Sequence, residues 1–226
     1  AIAIASHGHS GLKRLVLGSV AHQLLAHATV PVFLVRADPP EQRREPSFAR
    51  VMVPLDGSAL SERSVPAAQE IVAPGGTLLL VRVAPWPDAS LGEGAAGRIR
   101  ENETAAYRLS LAREYLERIA GTVHTADVTV ETQVIASESK GSVAHHLAVT
   151  AASANVDAVV MSTHGRGGMT GWLLGSVADE VVRSLDRPVL AVSARAAASG
   201  VMGRQRVGDI MTRDVLSLRE DEALVV

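Results

Sequence analysis

One pattern occurs twice in this chain. Ser6-His7-Gly8 is followed, ten residues after its glycine, by Gly18-Ser19-Val20-Ala21. Thr163-His164-Gly165 is followed at the same distance by Gly175-Ser176-Val177-Ala178. Each copy closes on an apolar run, Pro31-Val32-Phe33-Leu34-Val35 or Pro188-Val189-Leu190-Ala191-Val192. Gly8 and Gly165, Gly18 and Gly175, and Pro31 and Pro188 all stand 157 residues apart. A repeat at constant offset implies two related units. A glycine turn, a Gly-Ser at the head of a helix and a buried strand are the parts of an anion cradle. The first copy starts at residue 1, so the expectation is a front unit represented only by its last part, in a segment cut from a longer chain.

The core must be aliphatic, because aromatic residues make up only 3% of a chain that is 47% apolar. Continuous aliphatic strands suit a parallel sheet covered by helices. A formal charge of −2 gives no electrostatic reason to expect nucleic acid. The absence of cysteine excludes a disulfide, a thiolate metal site and a cysteine nucleophile, and fits a cytoplasmic location. His7, His9, His22 and His27 crowd the front but match no zinc signature. Apolar runs are strand-length, so no membrane span is expected.

The order of elements follows from periodicity and breakers. Helical spacing over Lys13–His27 precedes the strand Val30–Val35, and residues 37–48, with Pro39, Pro40 and Pro46, form a linker. A complete domain is expected over residues 49–195. Its strands are Arg50–Leu55, Thr77–Val83, Val128–Ile135, Ala158–Ser162 and Val189–Val192. Its helices are Leu60–Val72, Arg98–Ala120, Ser142–Ala152 and Trp172–Leu185. Alternating βα units predict an α/β fold, a doubly wound parallel sheet. Residues 196–206 read as a small-residue linker.

In such a sheet ligands bind outside the carboxyl ends of the strands, where the strand order reverses. Two strand ends carry polar, tight-turning residues: Pro54-Leu55-Asp56-Gly57-Ser58 and Met161-Ser162-Thr163-His164-Gly165. Asp56 can accept from a ribose hydroxyl or an adenine amine, or it is simply a turn residue. Glycines at 165, 167 and 168 let backbone N–H groups approach phosphates, or only loosen a loop. Gly175 and Ser176 offer donors, or serve close helix packing. Val83 can wall a base.

These residues resemble the universal stress protein family. The resemblance covers Arg50–Ser193 as a whole domain and residues 1–36 as the last third of another. It implies a Rossmann-like five-stranded sheet in the order 3-2-1-4-5, with helices on both faces. The ATP-binding branch of that family shows Gly-x2-Gly-x9-Gly-Ser/Thr. Here Ser162-Thr163-His164-Gly165 leads, after nine residues, to Gly175-Ser176, and the first glycine is Ser162, or Ala5 in the front copy. The resemblance implies ATP, with or without Mg²⁺, as ligand. Pro54, Asp56 and Val83 would hold the adenosine, Met161, Ser162 and Gly165 would line the turn, and Gly175, Ser176 and Val177 would reach the phosphates. A serine at the first position implies weakened binding. Residues 207–226, beginning Val207-Gly208-Asp209-Ile210-Met211-Thr212, resemble the start of a CBS domain.

The leading expectation is a regulatory adenine-nucleotide-binding protein of the stress response, with at most slow ATP hydrolysis. The rival is an interaction module that uses the edge of the last strand. In either case Val189–Val192 pairs across a homodimer, or with Val32–Val35 inside the chain as a pseudo-dimer.

Overall fold

Short runs, the inner ones continuously aliphatic, line up side by side in the computed structural model, which describes residues 1–5, 19–35, 48–85, 95–125, 127–137, 142–163 and 174–198. In chain order the elements are β1 (Ile2–Ala5), α1 (Ser19–His27), β2 (Val32–Val35), β3 (Arg50–Pro54), α2 (Ala59–Glu62), α3 (Ser64–Ile71), β4 (Thr77–Pro85), α4 (Ala95–Ala120), β5 (Thr129–Ser137), α5 (Val143–Ser153), β6 (Ala158–Ser162), α6 (Ser176–Ser184), β7 (Val189–Val192) and α7 (Ala194–Ala198). They form one sheet in the order β1-β2-β7-β6-β3-β4-β5.

The five strands of the larger unit, β3 to β7, are parallel and stand in the expected order 3-2-1-4-5. The front part extends that five-stranded sheet: among the described residues it has seven strands, and it reverses direction once. β1 pairs parallel with β2, and β2 lies antiparallel on β7 through Val32↔Ala191, Phe33↔Leu190 and Leu34↔Val189. The physical reason is the edge of β7. All four of its residues are buried, and its outer N–H and C=O groups need a partner. The front copy supplies one of the same kind.

The sequence repeat survives in three dimensions. The 157-residue offset carries α1 onto α6 and β2 onto β7, residue for residue. Under it Val32 becomes Val189 and Leu34 becomes Ala191, so those two cross-strand pairs are images of each other. A local two-fold therefore passes through Phe33↔Leu190.

Helices cover both faces. On one face Ala21, Leu25, Val32 and Leu34 of the front part merge with Leu147, Ala151, Val159 and Val181. On the other, Phe33 joins Val53, Ala68, Leu80, Leu116 and Ile119. The chain's two phenylalanines, Phe33 and Phe48, stack across the join with centroids 5.6 Å apart. Buried Ser193 donates to Ala28 O at 3.1 Å and accepts from Ala196 N–H at 3.0 Å, tying the exit of α1 to the start of α7.

One expected helix, Leu60–Val72, breaks into α2 and α3 at Arg63. Pro66 is the cause: it has no N–H for the carbonyl of Glu62, and its ring crowds that carbonyl. Residues 37–47 of the expected linker 37–48, Gly165–Gly171 and the CBS-like stretch 207–226 lie outside the described residues.

Phe33→Ala should cost about 3–5 kcal/mol in urea unfolding, the usual loss for a buried aromatic. Ser193→Ala should cost about 1–3 kcal/mol, because it strands a buried carbonyl and a buried amide.

Candidate functional site

The site begins with a proline. In a parallel strand alternate residues bond to opposite neighbours. Leu55 N–H donates to Val81 O at 2.8 Å, so odd-numbered residues of β3 face β4. Arg50 O accepts from Asp157 N–H at 2.8 Å, so even-numbered residues face β6. Pro54 is even-numbered and has no N–H to give. The register between β3 and β6 accordingly runs only through Val51↔Ala158 and Met52↔Val159. The hydrogen-bonded ladder between the two strands therefore ends before their carboxyl ends. It ends where the strand order reverses, since the chain winds from β3 outward to β4 and β5 and returns through β6 to β7.

One lip at that point is the turn after β3. Asp56 Oδ1 accepts from Ser58 N–H at 2.9 Å and from the Ser58 hydroxyl at 2.7 Å. Ser58 Oγ in turn accepts from Ser61 N–H at 3.1 Å and caps α2. Gly57 sits at φ +87°, a conformation that favours glycine. The turn reading of Asp56 therefore holds for one carboxylate oxygen, Oδ1.

The other lip is built from β6 and α6. Met161 and Ser162 are buried and in register with Ala191 and Val192. Thr163 N–H donates to Val192 O at 3.1 Å, and Thr163 O accepts from Gly175 N–H at 2.7 Å. That bond brings Gly175 back to the strand end. Gly175 is the N-cap of α6, at φ −65° and ψ 151°, with no side chain to satisfy the first-turn N–H groups. Ser176 is exposed, and Val177 is half-buried against the core.

Pro54, Asp56, Met161, Ser162, Gly175, Ser176 and Val177 are thus placed at the carboxyl ends of two neighbouring strands and the helix head beside them. Val83 is half-buried on the next strand, in register with Ile135. Gly165 lies outside the described residues. No cluster of three metal-ligating side chains occurs among the described residues, and no helix among them is long and apolar enough to cross a membrane.

Two residues at this end of the sheet were not singled out for the site from sequence. Arg82, on β4, lays its guanidinium against Gly57, with Nη1 2.7 Å from where a Cβ would stand. Its Cζ lies 4.4 Å from the centroid of the Tyr115 ring of α4, and Arg118 lies 5.2 Å from the same ring. Arg118 also pairs with Glu62 of α2 at 3.5 Å. Burial, and then the Glu62 carboxylate, push the Tyr115 hydroxyl up from 10 to about 12. The available signal was an arginine inside an otherwise aliphatic strand.

Residues 1–36 and 47–193 match the model of the universal stress protein family. Universal stress protein Rv2005c of Mycobacterium tuberculosis is 34% identical over 190 residues, which are 84% of this chain and 60% of that protein. A universal stress protein of Mycolicibacterium smegmatis is 33% identical over 196 residues, 86% of this chain and 62% of its own. This chain therefore spans about three fifths of the length of these curated relatives. A solved universal stress protein from Archaeoglobus fulgidus is similar with a TM-score of 0.55 and 25% identity, over 84% of this chain and 59% of that one.

The raised Tyr115 pKa has a pH signature. The folded state resists ionisation more than the unfolded chain, so the contribution is fully present below pH 10 and is lost as pH rises toward about 12. Tyr115→Phe should show a smaller fall in melting temperature than the parent across that window.

Proposed function

The chain belongs to the universal stress protein family, and we propose that the crevice between the carboxyl ends of β3 and β6 binds an adenine nucleotide, ATP with or without Mg²⁺. The bound state is passed to a partner or an attached domain in a stress response. The observation that carries this reading is the point where the strand order reverses, at which the β3·β6 ladder ends before Pro54, with an acidic turn on one lip and a side-chain-free helix head on the other.

Each residue then has a task. The Asp56 carboxylate accepts from the ribose or the adenine amine, while Oδ1 also anchors its turn. Val83 and Met161 wall the base with aliphatic surface. The backbone N–H groups at the head of α6, beginning at Gly175, face the phosphates with the positive end of the helix dipole. Ser176 adds a hydroxyl, Val177 a backbone amide and Gly165 close backbone approach. Pro54 lines the crevice where the β3·β6 ladder ends. Ser162 puts a side chain where the family's ATP-binding pattern has glycine, and so limits affinity. Mg²⁺ enters with the phosphates.

A second reading, an interaction module working through the last strand, draws on the β2·β7 ladder. In this chain that edge is already taken by β2, so the reading needs the front part to be displaced.

Calorimetric titration with ATP and Mg²⁺ should give saturable heat, and ligand at about 100 times Kd should stabilise the fold by about 2.7 kcal/mol. Asp56→Ala should weaken binding roughly 10- to 100-fold, the loss of a charge-assisted hydrogen bond. Ser162→Gly should tighten it. No heat and no protection against unfolding would sink the proposal.

A further inference from the structure

The strand that carries Val83 also carries a cation with an unusual setting. Leu78 and Leu80 of β4 pack into the core beneath α3 and α4. Arg82 has the same parity and therefore points to the same face, at the carboxyl edge of the sheet. Its stem continues the apolar face and its head emerges at the rim. There the guanidinium has the Tyr115 ring on one side and the Gly57 backbone on the other. Among the described residues no carboxylate is paired with it. An arginine kept on an aliphatic strand without an ion pair is held by shape and by the ring quadrupole.

The second contact matters for the crevice. Gly57 is the residue between Asp56 and Ser58, and its left-handed conformation aims Asp56 Oδ1 at Ser58. The guanidinium fills the space beside that residue that a side chain would need: atoms Nη1, Nη2 and Cζ lie 2.7, 3.1 and 3.3 Å from where a Cβ would stand. A second grip from α4 lies five residues on, where Arg118 holds Glu62 of the helix that Ser58 caps. Helix α4 thus braces the acidic turn at Gly57, through Arg82 seated on Tyr115, and at Glu62, through Arg118.

We propose that Arg82, seated on the Tyr115 ring and bearing on Gly57, is the positioning residue that fixes the direction of the Asp56 carboxylate. It acts through Asp56 and need not touch the ligand. The consequence for affinity rests on the nucleotide reading of the crevice; the consequence for the turn does not.

Amide hydrogen exchange on the whole chain tests the turn. Ser58 N–H is bonded to Asp56 Oδ1, and Leu55 N–H to Val81 O just before it. Arg82→Met keeps the apolar stem and removes the planar cation. It should speed Ser58 exchange roughly tenfold and leave Leu55 within about twofold, as local opening requires. Tyr115→Leu should do the same, and Tyr115→Phe, which keeps the ring, should not. Unchanged Ser58 exchange overturns the proposal, and so does equal acceleration at Leu55, which reports general loosening.

The affinity arm is a double-mutant cycle read by titration with ATP and Mg²⁺. Arg82→Met should weaken binding roughly tenfold in the parent and little further in Asp56→Ala, because the two act through one group. Independent, additive losses would overturn the proposal. If the parent binds no ATP, the nucleotide reading fails, and Ser58 exchange alone decides the role of Arg82.

Discussion

A sheet edge is a row of unpaired N–H and C=O groups, and a fully buried strand such as β7 can least tolerate having one exposed. The antiparallel ladder with β2 removes that edge, and much else follows from it. It makes one sheet of what the sequence repeat presents as two units. It lets Phe33 enter a core built mainly from the other unit and meet Phe48 there. It brings Ala28 close enough to Ser193 for a buried hydrogen bond between residues 165 apart in sequence.

The crevice depends on a smaller constraint of the same kind. A parallel ladder continues as long as each residue has a donor for its neighbour. Pro54 interrupts β3 on the β6 side only, because Leu55 resumes bonding to β4. One missing hydrogen thus ends the ladder on a chosen side and at a chosen height. Beyond that point the chain turns to its own hydrogen bonds, Ser58 to Asp56 on one side and Gly175 to Thr163 on the other.

How much of this the sequence discloses depends on the range of each interaction. Buried strands such as Val51–Val53 and Ala158–Met161 are continuous aliphatic runs, and their alternation with helices sets the order of the larger unit. The cap at Ser58 and the helix head at Gly175 are also legible, because the residues that make them lie within three or four positions of each other. The break at Arg63 had a local cause in Pro66, but the apolar period over Leu60–Val72 masks it. The antiparallel match of Val32–Val35 with Val189–Val192 was expected from their shared apolar character as one of two ways to cover that edge, but sequence could not choose between that and a second copy of the chain. The setting of Arg82 lay furthest from view. It joins residues 57, 82 and 115, on three separate elements, and no pattern within any one of them marks the contact.

The reversal at β2 and β7 also sets the two copies of the repeat against each other. Because β1 is parallel to β2 and β6 to β7, β1 and β6 run in opposite directions. Ala5 and Ser162 occupy the same place in the repeat, yet their strands end at opposite rims of the sheet. A flat surface laid against one rim is therefore turned away from the other.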